Sequence, residues 1–260
     1  MPKRTSYAQG TPCWVDLQSH DPEAAKAFYE GLFGWEFDDQ PMPQGPPYSM
    51  ALKHGEPVAA IYPMPSNMVL DGTPPYWNSY ISVDDLDATT KAAKAAGAQV
   101  LAEPFDVMAA GRMSVVIDPT GALINFWQAG QHIGATLVNE PGTLIWNELI
   151  TDNGEVAYAF YDKVLGLKAE QSDLSGSPYF LLKVGDEMVG GSMAPPMEGI
   201  SNHWHVYFAV EAMEPALEKA RQLGAKVING PRPTPIGPMA TVSDPQGAIF
   251  SLFQPFGQAT

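Results

Sequence analysis

Cysteine and positive charge are both scarce in this chain. Cys13 is the single thiol, so an internal disulfide and a cysteine-rich zinc cluster are excluded, which suits a reducing compartment. It has no basic neighbour and no helix N-terminus beside it, so core packing is the expected role. Lys and Arg number 14 against 29 Asp and Glu, a formal charge of −15. Such a surface repels phosphates and anionic lipids and attracts cationic compounds, so neither nucleic acid nor a membrane is an expected partner. Long apolar runs are missing too. The opening MPKRTSYAQG has basic residues with no hydrophobic stretch behind them, so no signal peptide or membrane span is visible and a cytoplasmic protein is expected. The 260 residues suffice for one large domain or two of ordinary size.

Self-similarity organises the rest. PCWVDLQSHDPEAAKAFYEGLFGW (12–35) is echoed by LIWNELITDNGEVAYAFYDKVLGL (144–167). Trp14 matches Trp146, Asp16 matches Glu148, and Phe28-Tyr29 matches Phe160-Tyr161. YWNSYISVDDLDATTKAAKAAGAQV (76–100) then aligns with HWHVYFAVEAMEPALEKARQLGAKV (203–227), and RMSVVIDPTGALINFWQ aligns with PMATVSDPQGAIFSLFQ. The chain is two copies of one domain.

Each copy reads strand, helix, three strands, and then the same again. CWVDLQ alternates like a strand; Asp21-Pro22 offers an N-cap and a first-turn proline for a helix with Ala24, Phe28 and Leu32 on one stripe and Gly34 past its end. GWEFDD, YSMALK and EPVAAIY are short β runs between Pro- and Gly-rich turns. WNSYISV follows, then a helix over roughly 85–96 stopped by Gly97, then QVLAEPF, RMSVVI and ALINFWQ. Asp118-Pro119-Thr120-Gly121 and Asp244-Pro245-Gln246-Gly247 place Asp, Pro and Gly for a type I turn, making each last pair of strands a hairpin.

Four βαβββ modules, paired into domains at 8–130 and 140–257 by a linker near AGQHIGATLVNEPG, resemble the vicinal oxygen chelate superfamily. Its members include glyoxalases, extradiol dioxygenases, and bleomycin- and fosfomycin-resistance proteins. The likeness covers residues 10–255, is most specific in the Phe-Tyr helices and DPxG hairpins, and is narrower toward a tandem actinobacterial branch. It implies an α+β fold of two eight-stranded cups, each holding a small molecule on its concave face. It also implies that the duplication supplies the pairing single-domain relatives achieve as dimers, giving a monomer with internal pseudo-symmetry or a homodimer of such chains.

Members of that family that bind a metal take ligands from the first, fourth, fifth and eighth strands of a domain. Those positions fall here on Trp14 and Trp146, on VAAI and VGGS, on Asn78 and His205, and on Asn125 and Ser251. Indole cannot ligate, and one imidazole is too few, so no metal or other cofactor is expected. The pair His203 and His205 in NHWHVYFAV shares one strand face. With Glu148 it could form a non-standard metal site; hydrogen-bonding roles are the alternative for both rings.

Strand alternation predicts the lining of each cup: Trp14, Asp16, Asn78, Tyr80, Asn125 and Trp127 in the first, and Trp146, Glu148, His205, Tyr207, Ser251 and Phe253 in the second. Aromatic walls with a few polar groups suit a planar or amphipathic small molecule, though the same aromatics could simply fill the interior. An acid among such walls has a general base's environment, so Glu148, with His205 as its acid/base partner, and Asp16 are the catalytic candidates. Cup two is preferred. Arg112, opening the seventh strand, is a candidate anion contact whose counterpart is Pro238. The leading expectation is a metal-independent lyase, isomerase or hydroxylase-like enzyme on a small carbonyl or phenolic metabolite. The alternatives are a non-catalytic protein that sequesters a drug or metabolite, of the bleomycin-resistance type, and a scaffold with filled cups.

Overall fold

A computed structural model describes residues 3–43, 45–172 and 178–257. The first module runs β1 (Pro12–Ser19), α1 (Pro22–Phe33), β2 (Glu36–Gln40), β3 (Tyr48–Lys53) and β4 (Glu56–Pro63). A short helix, α2 (Ser66–Leu70), leads to the second: β5 (Tyr76–Ser82), α3 (Leu86–Ala95), β6 (Gln99–Val107), β7 (Gly111–Ile117) and β8 (Leu123–Ala129). The third is β9 (Leu144–Ile150), α4 (Gly154–Leu165), β10 (Lys168–Ser172), β11 (Tyr179–Val184) and β12 (Glu187–Met193). The fourth is β13 (His203–Ala209), α5 (Met213–Gln222), β14 (Lys226–Arg232), β15 (Met239–Ser243) and β16 (Ile249–Phe253). Only α2 falls where the sequence reads as loop.

The strands form two eight-stranded sheets of matching order, β2-β3-β4-β1-β5-β8-β7-β6 and β10-β11-β12-β9-β13-β16-β15-β14. Each half-sheet is one module, and the halves join where β1 meets β5, and β9 meets β13, antiparallel. The expected signals operate locally. Asp21 accepts from the Ala24 amide at 3.0 Å at the start of α1, and Gly34 ends that helix in the left-handed region at φ 69. The helix turns a different stripe inward from the one its spacing suggests. Ala25, Phe28, Tyr29 and Phe33 are buried, Ala24 is exposed and Leu32 only half-buried, because the neighbouring domain as well as its own sheet packs against it.

The sheets sit back to back, with concave faces outward. One apolar core joins Leu17, Phe28, Tyr29 and Trp35 of the first module, with Trp77 of the second, to Phe208, Leu217 and Phe250 of the fourth. The other joins Ile81, Leu86 and Phe126 of the second module to Phe160 and Tyr161 of the third, with Trp204 of the fourth. The Phe-Tyr and DPxG motifs meet across this boundary. Tyr29 Oη donates to Asp244 Oδ2 at 3.2 Å and accepts from Trp77 Nε1 at 3.2 Å. Tyr161 Oη donates to Asp118 Oδ2 and accepts from Trp204 Nε1, both at 2.8 Å. The other oxygen of each aspartate holds its own hairpin by accepting the amides of Thr120 and Ala122, or of Gln246 and Ala248. Each domain's helix is thus fastened to the other domain's hairpin. No described helix is long and apolar enough to cross a membrane.

Candidate functional site

Register places the expected lining residues on the concave faces. Asp16 lies opposite Asn78 and Trp14 opposite Tyr80, while Tyr80 also neighbours Asn125. In the second sheet Glu148 lies opposite His205, Trp146 opposite Tyr207, and Tyr207 beside Ser251. Cross-strand partners share a face, so each set converges on one cup.

In cup one the Asp16 carboxylate is ringed by donors: Tyr80 Oη at 2.7 Å, Tyr48 Oη at 3.0 Å and Asn78 Nδ2 at 2.8 Å. Trp14 Nε1 donates in turn to Tyr48 Oη at 2.9 Å. Burial raises the Asp16 carboxyl above its ordinary value, and the three donors oppose that rise. Cup two repeats the plan. Tyr207 Oη donates to Glu148 Oε2 at 2.6 Å, the nearby Tyr179 hydroxyl favours the ionised carboxyl, and Trp146 Nε1 donates to Tyr179 Oη at 3.0 Å. Burial raises Glu148 as well, opposed by Tyr207, Tyr179 and the positive charge of Arg232. Tyr48 and Tyr179 were missed by reading the first, fifth and eighth strands alone. The matched PPY (46–48) and SPY (177–179) of the two repeats were the signal available.

His205 lies beside Glu148 in register but bonds elsewhere. Its Nε2 pairs with Ser251 Oγ at 2.8 Å, and Ser251 Oγ with Thr241 Oγ1 at 3.0 Å. Burial, and then the neighbouring His203, lower the His205 ring to about 3, so the imidazole is neutral across the physiological range. Its place is therefore that of a neutral hydrogen-bonding group. His203 Nδ1 bonds the Ser201 carbonyl at 2.8 Å. Arg112 is not brought to either cup. It pairs with Gln128, one residue out of phase with the inward Trp127, and its guanidinium bonds Asp87 at 2.6 Å and Asp106 at 3.0 Å on the helix side of the sheet.

The two cups differ in how tightly they close. Cup one has its own apolar cluster of Cys13, Trp14, Ala60, Tyr80, Trp127 and Ala135. The segment after β8 lies across it: the Ala135 amide donates to the Cys13 carbonyl, Trp127 Nε1 to the His132 carbonyl, and the His132 ring stands edge-on to Trp14 at 4.5 Å. Trp14 is 3 % exposed, whereas its partner Trp146 is only half-buried. Cup two keeps a narrow slot of about 10 Å³ lined by Tyr207, Asn229, Arg232, Met239, Ala240, Thr241 and Ser251. That is room for about one water. A recess of about 330 Å³ lies outside the cups between α1 and β2, beside Glu23, Lys26 and Trp35; there Lys26 is neutralised by Glu23 and Asp39.

A family model described as the Glyoxalase/Bleomycin resistance protein/Dioxygenase superfamily matches residues 13–126 and again 138–252. The chain belongs to this superfamily. The superfamily relative named "Putative glyoxylase CFP32" from Mycobacterium tuberculosis is 54 % identical, over 99 % of this chain and 100 % of that one. Anthracycline biosynthesis protein DnrV of Streptomyces peucetius is 37 % identical, over 96 % and 95 %. Among solved superfamily folds, the Mn(II)-bound glyoxalase of Novosphingobium aromaticivorans aligns with TM-score 0.65 at 17 % identity, over 95 % of this chain and 82 % of that one. The 2,3-dioxygenase LapB of Pseudomonas sp. KL28 aligns with TM-score 0.67 at 17 % identity, over 97 % and 96 %.

A superfamily fold raises the question of a metal, and the donors present do not fit one. Trp14 and Trp146 offer an N–H and no lone pair, and each N–H is already spent on a tyrosine. Ala60 and Gly191, which lie opposite Asp16 and Glu148 on β4 and β12, have no ligating side chain. Among the described residues no three His, Cys, Asp or Glu side chains converge as a metal would require, and the trio His203, His205 and Glu148 is directed to separate partners.

Proposed function

We propose that this chain binds a small organic molecule in cup two and acts on it by proton transfer through Glu148, without a metal of the family type. The observation that carries this reading is the Glu148 carboxyl. It is 4 % exposed, held by the Tyr207 hydroxyl at 2.6 Å with Tyr179 close by, and burial raises it so that it takes up a proton more readily than an exposed carboxyl does. The matched Asp16 has the same chemistry but lies beneath the packed Trp14–His132 contact. Cup one is therefore the structural copy.

On a carbonyl-bearing metabolite, the ionised Glu148 takes a proton from the carbon next to the carbonyl. As Glu148 takes that proton, the Tyr207 hydroxyl turns from the carboxyl to donate its one hydrogen bond to the oxygen on which charge develops, and it returns when the proton goes back from Glu148 to carbon. His205, neutral and fixed by Ser251, orients the substrate. Once the outer side chains of the slot move aside, a flat aromatic body can lie beside Trp146 and Tyr207, in keeping with the naming of DnrV for anthracycline biosynthesis.

The test is deuterium uptake from solvent at the carbon next to the carbonyl of arylpyruvates, followed by NMR. Glu148→Gln abolishes uptake and leaves affinity largely intact, and Asp16→Asn retains both. Uptake unchanged in Glu148→Gln, or a stoichiometric transition ion found by elemental analysis of the untagged protein, defeats the reading. A sequestering protein is the second reading, favoured by the fact that both acids already have their hydrogen bonds met. It requires that Trp146→Ala lose affinity while no turnover is found with any substrate.

A further inference from the structure

The outer walls of the two cups differ in kind although the strands that make them correspond. In cup one, β6 and β7 place Ala102 opposite Val115 and Phe105 opposite Met113, in register with the inward Asn125 and Trp127. In cup two the same places hold Asn229 opposite Thr241 and Arg232 opposite Met239, in register with Ser251 and Phe253. An apolar wall has become a polar one carrying a cation.

The local backbone explains how Arg232 comes to face the cup. The β14–β15 ladder shifts register between Asn229 and Arg232, so Gly230 and Pro231 bulge out and the next side chain is re-aimed. Gly230 has φ +92, and a β-carbon there would meet the Met239 carbonyl at 2.7 Å, so the bulge requires glycine. Arg232 then lines the slot above Tyr207, Thr241 and Ser251. Among the described residues no carboxylate lies within ion-pair distance of this exposed guanidinium, although its charge acts on Glu148 at longer range, whereas Arg112, Arg221, Lys26, Lys94 and Lys183 each have a direct ion pair. In a chain of net charge −15, a guanidinium left without an ion pair over a buried cup is an anion site in waiting.

We propose that Arg232, with Asn229 beside it, recognises the carboxylate of a small aryl-substituted organic acid, whose ring lies over Tyr207 and Trp146. This rests on the reading of cup two given above and narrows its substrate to an anion. Arg232 and Met239 are unbranched side chains at the slot, so they are the ones that swing aside to admit the ring.

The experiment compares three probes of one shape, 4-hydroxybenzoate, 4-hydroxybenzamide and 4-hydroxybenzylamine, by calorimetry at low salt on the full chain. The acid binds about ten-fold or more tighter than the amide, because a charge-assisted contact exceeds a neutral one. That preference disappears in Arg232→Met, is partly kept in Arg232→Lys, and is unchanged in Arg112→Met. Equal binding of acid and amide, tighter binding of the amine, no saturation by any probe, or a preference surviving in Arg232→Met overturns the proposal. Glu148→Gln separates the two claims. If it abolishes deuterium uptake while Arg232→Met changes no affinity, the anion site fails and the proton-transfer reading stands; if the acid preference depends on Arg232 but Glu148→Gln takes up deuterium normally, the reverse holds.

Discussion

Removing one hydroxyl at the boundary between the domains, in Tyr161→Phe, tests how the molecule is fastened together. Tyr161 is fully buried, so no water can replace the oxygen it loses. Two bonds of 2.8 Å go with it, one donated to Asp118 and one accepted from Trp204. A hydrogen bond to a carboxylate is worth about 1.5–3 kcal/mol, and the stranded indole N–H costs about 1–3 kcal/mol more. The ring itself stays, keeping its edge-on contact with Trp204 at 5.5 Å, so no packing loss is added. The two losses sum to about 2.5–6 kcal/mol, and because they share one hydroxyl they add incompletely, so the expected cost is about 3–4 kcal/mol. For a chain of this size that lowers the thermal midpoint by roughly 6–16 °C. Tyr29→Phe removes the pseudo-symmetric pair, but its bonds are 3.2 Å long, so its cost is smaller. Urea unfolding followed by tryptophan fluorescence and by circular dichroism gives both values. Because each tie runs from one domain's helix to the other domain's hairpin, the wild type unfolds in one transition by both probes. A cost below about 1 kcal/mol in Tyr161→Phe, or Tyr29→Phe costing more, refutes this account of the boundary.

Other groups give further tests. Burial raises the Glu148 carboxyl, so its stability contribution is complete below the unfolded value of about 4.3 and is lost as pH rises through the folded value. Glu148→Gln removes that loss: its stability relative to wild type improves from about pH 4 to about pH 8 in urea titrations, and a difference that shrinks with pH contradicts the assignment. His205, lowered to about 3, has the opposite sense: its contribution is present above about 6.5 and falls as the solution is acidified toward the folded value. NMR of its ring shows no titration step between about pH 5 and about pH 8, and a step near 6.5 counts against its burial beside Ser251. Among the described residues the buried His132 Nε2 has no hydrogen-bond partner, and His132→Phe keeps the edge on Trp14 while deleting that atom. It stabilises the chain by about 1 kcal/mol, and a loss of similar size shows that the nitrogen has a partner. Cys13 is fully buried and its thiol is raised by that burial, so thiol reagents label it only at the rate of unfolding.

Much of the fold is written in short-range signals. The duplication, the caps at Asp21 and Gly34 and the period-two strands each act within a few residues, and the structure uses them as read. The cup lining follows from the same alternation, which is why twelve inward positions could be named from parity alone. Arg112 shows where that parity was not carried far enough: Met113, not Arg112, shares a face with Trp127 across the hairpin. What the sequence did not disclose depends on contacts distant in the chain. The Tyr29 and Tyr161 hydroxyls bond residues 215 and 43 positions away, and no local pattern announces that a family motif serves as a tie between domains. The stripe on α1 turned toward Tyr29 for the same reason. Arg232 was hidden by the bulge at Gly230 and Pro231, which breaks the alternation that would otherwise assign its face.

Under the proposed function one cup works and the other holds shape, and the duplication lets the two be compared. A carboxyl sealed among aromatic side chains is a burden on stability unless donors surround it, and both copies supply them through one tyrosine from the third strand and one from the fifth. That common arrangement explains how an acid can persist in each cup, but it cannot by itself explain chemistry, since cup one has it too. The difference lies above the acid. In cup one, Trp14 meets His132 and the wall is Ala102, Phe105, Met113 and Val115, so a ligand would have to displace the protein's own side chains. In cup two, Trp146 is half-exposed and the slot is lined by Asn229, Thr241 and the Arg232 guanidinium, which are polar groups. Polar groups lining a cleft gain little from the protein alone and much from a ligand that completes them. Under the proposed function, the buried acid beneath such groups in cup two awaits an occupant, and the cup that lacks them stays shut.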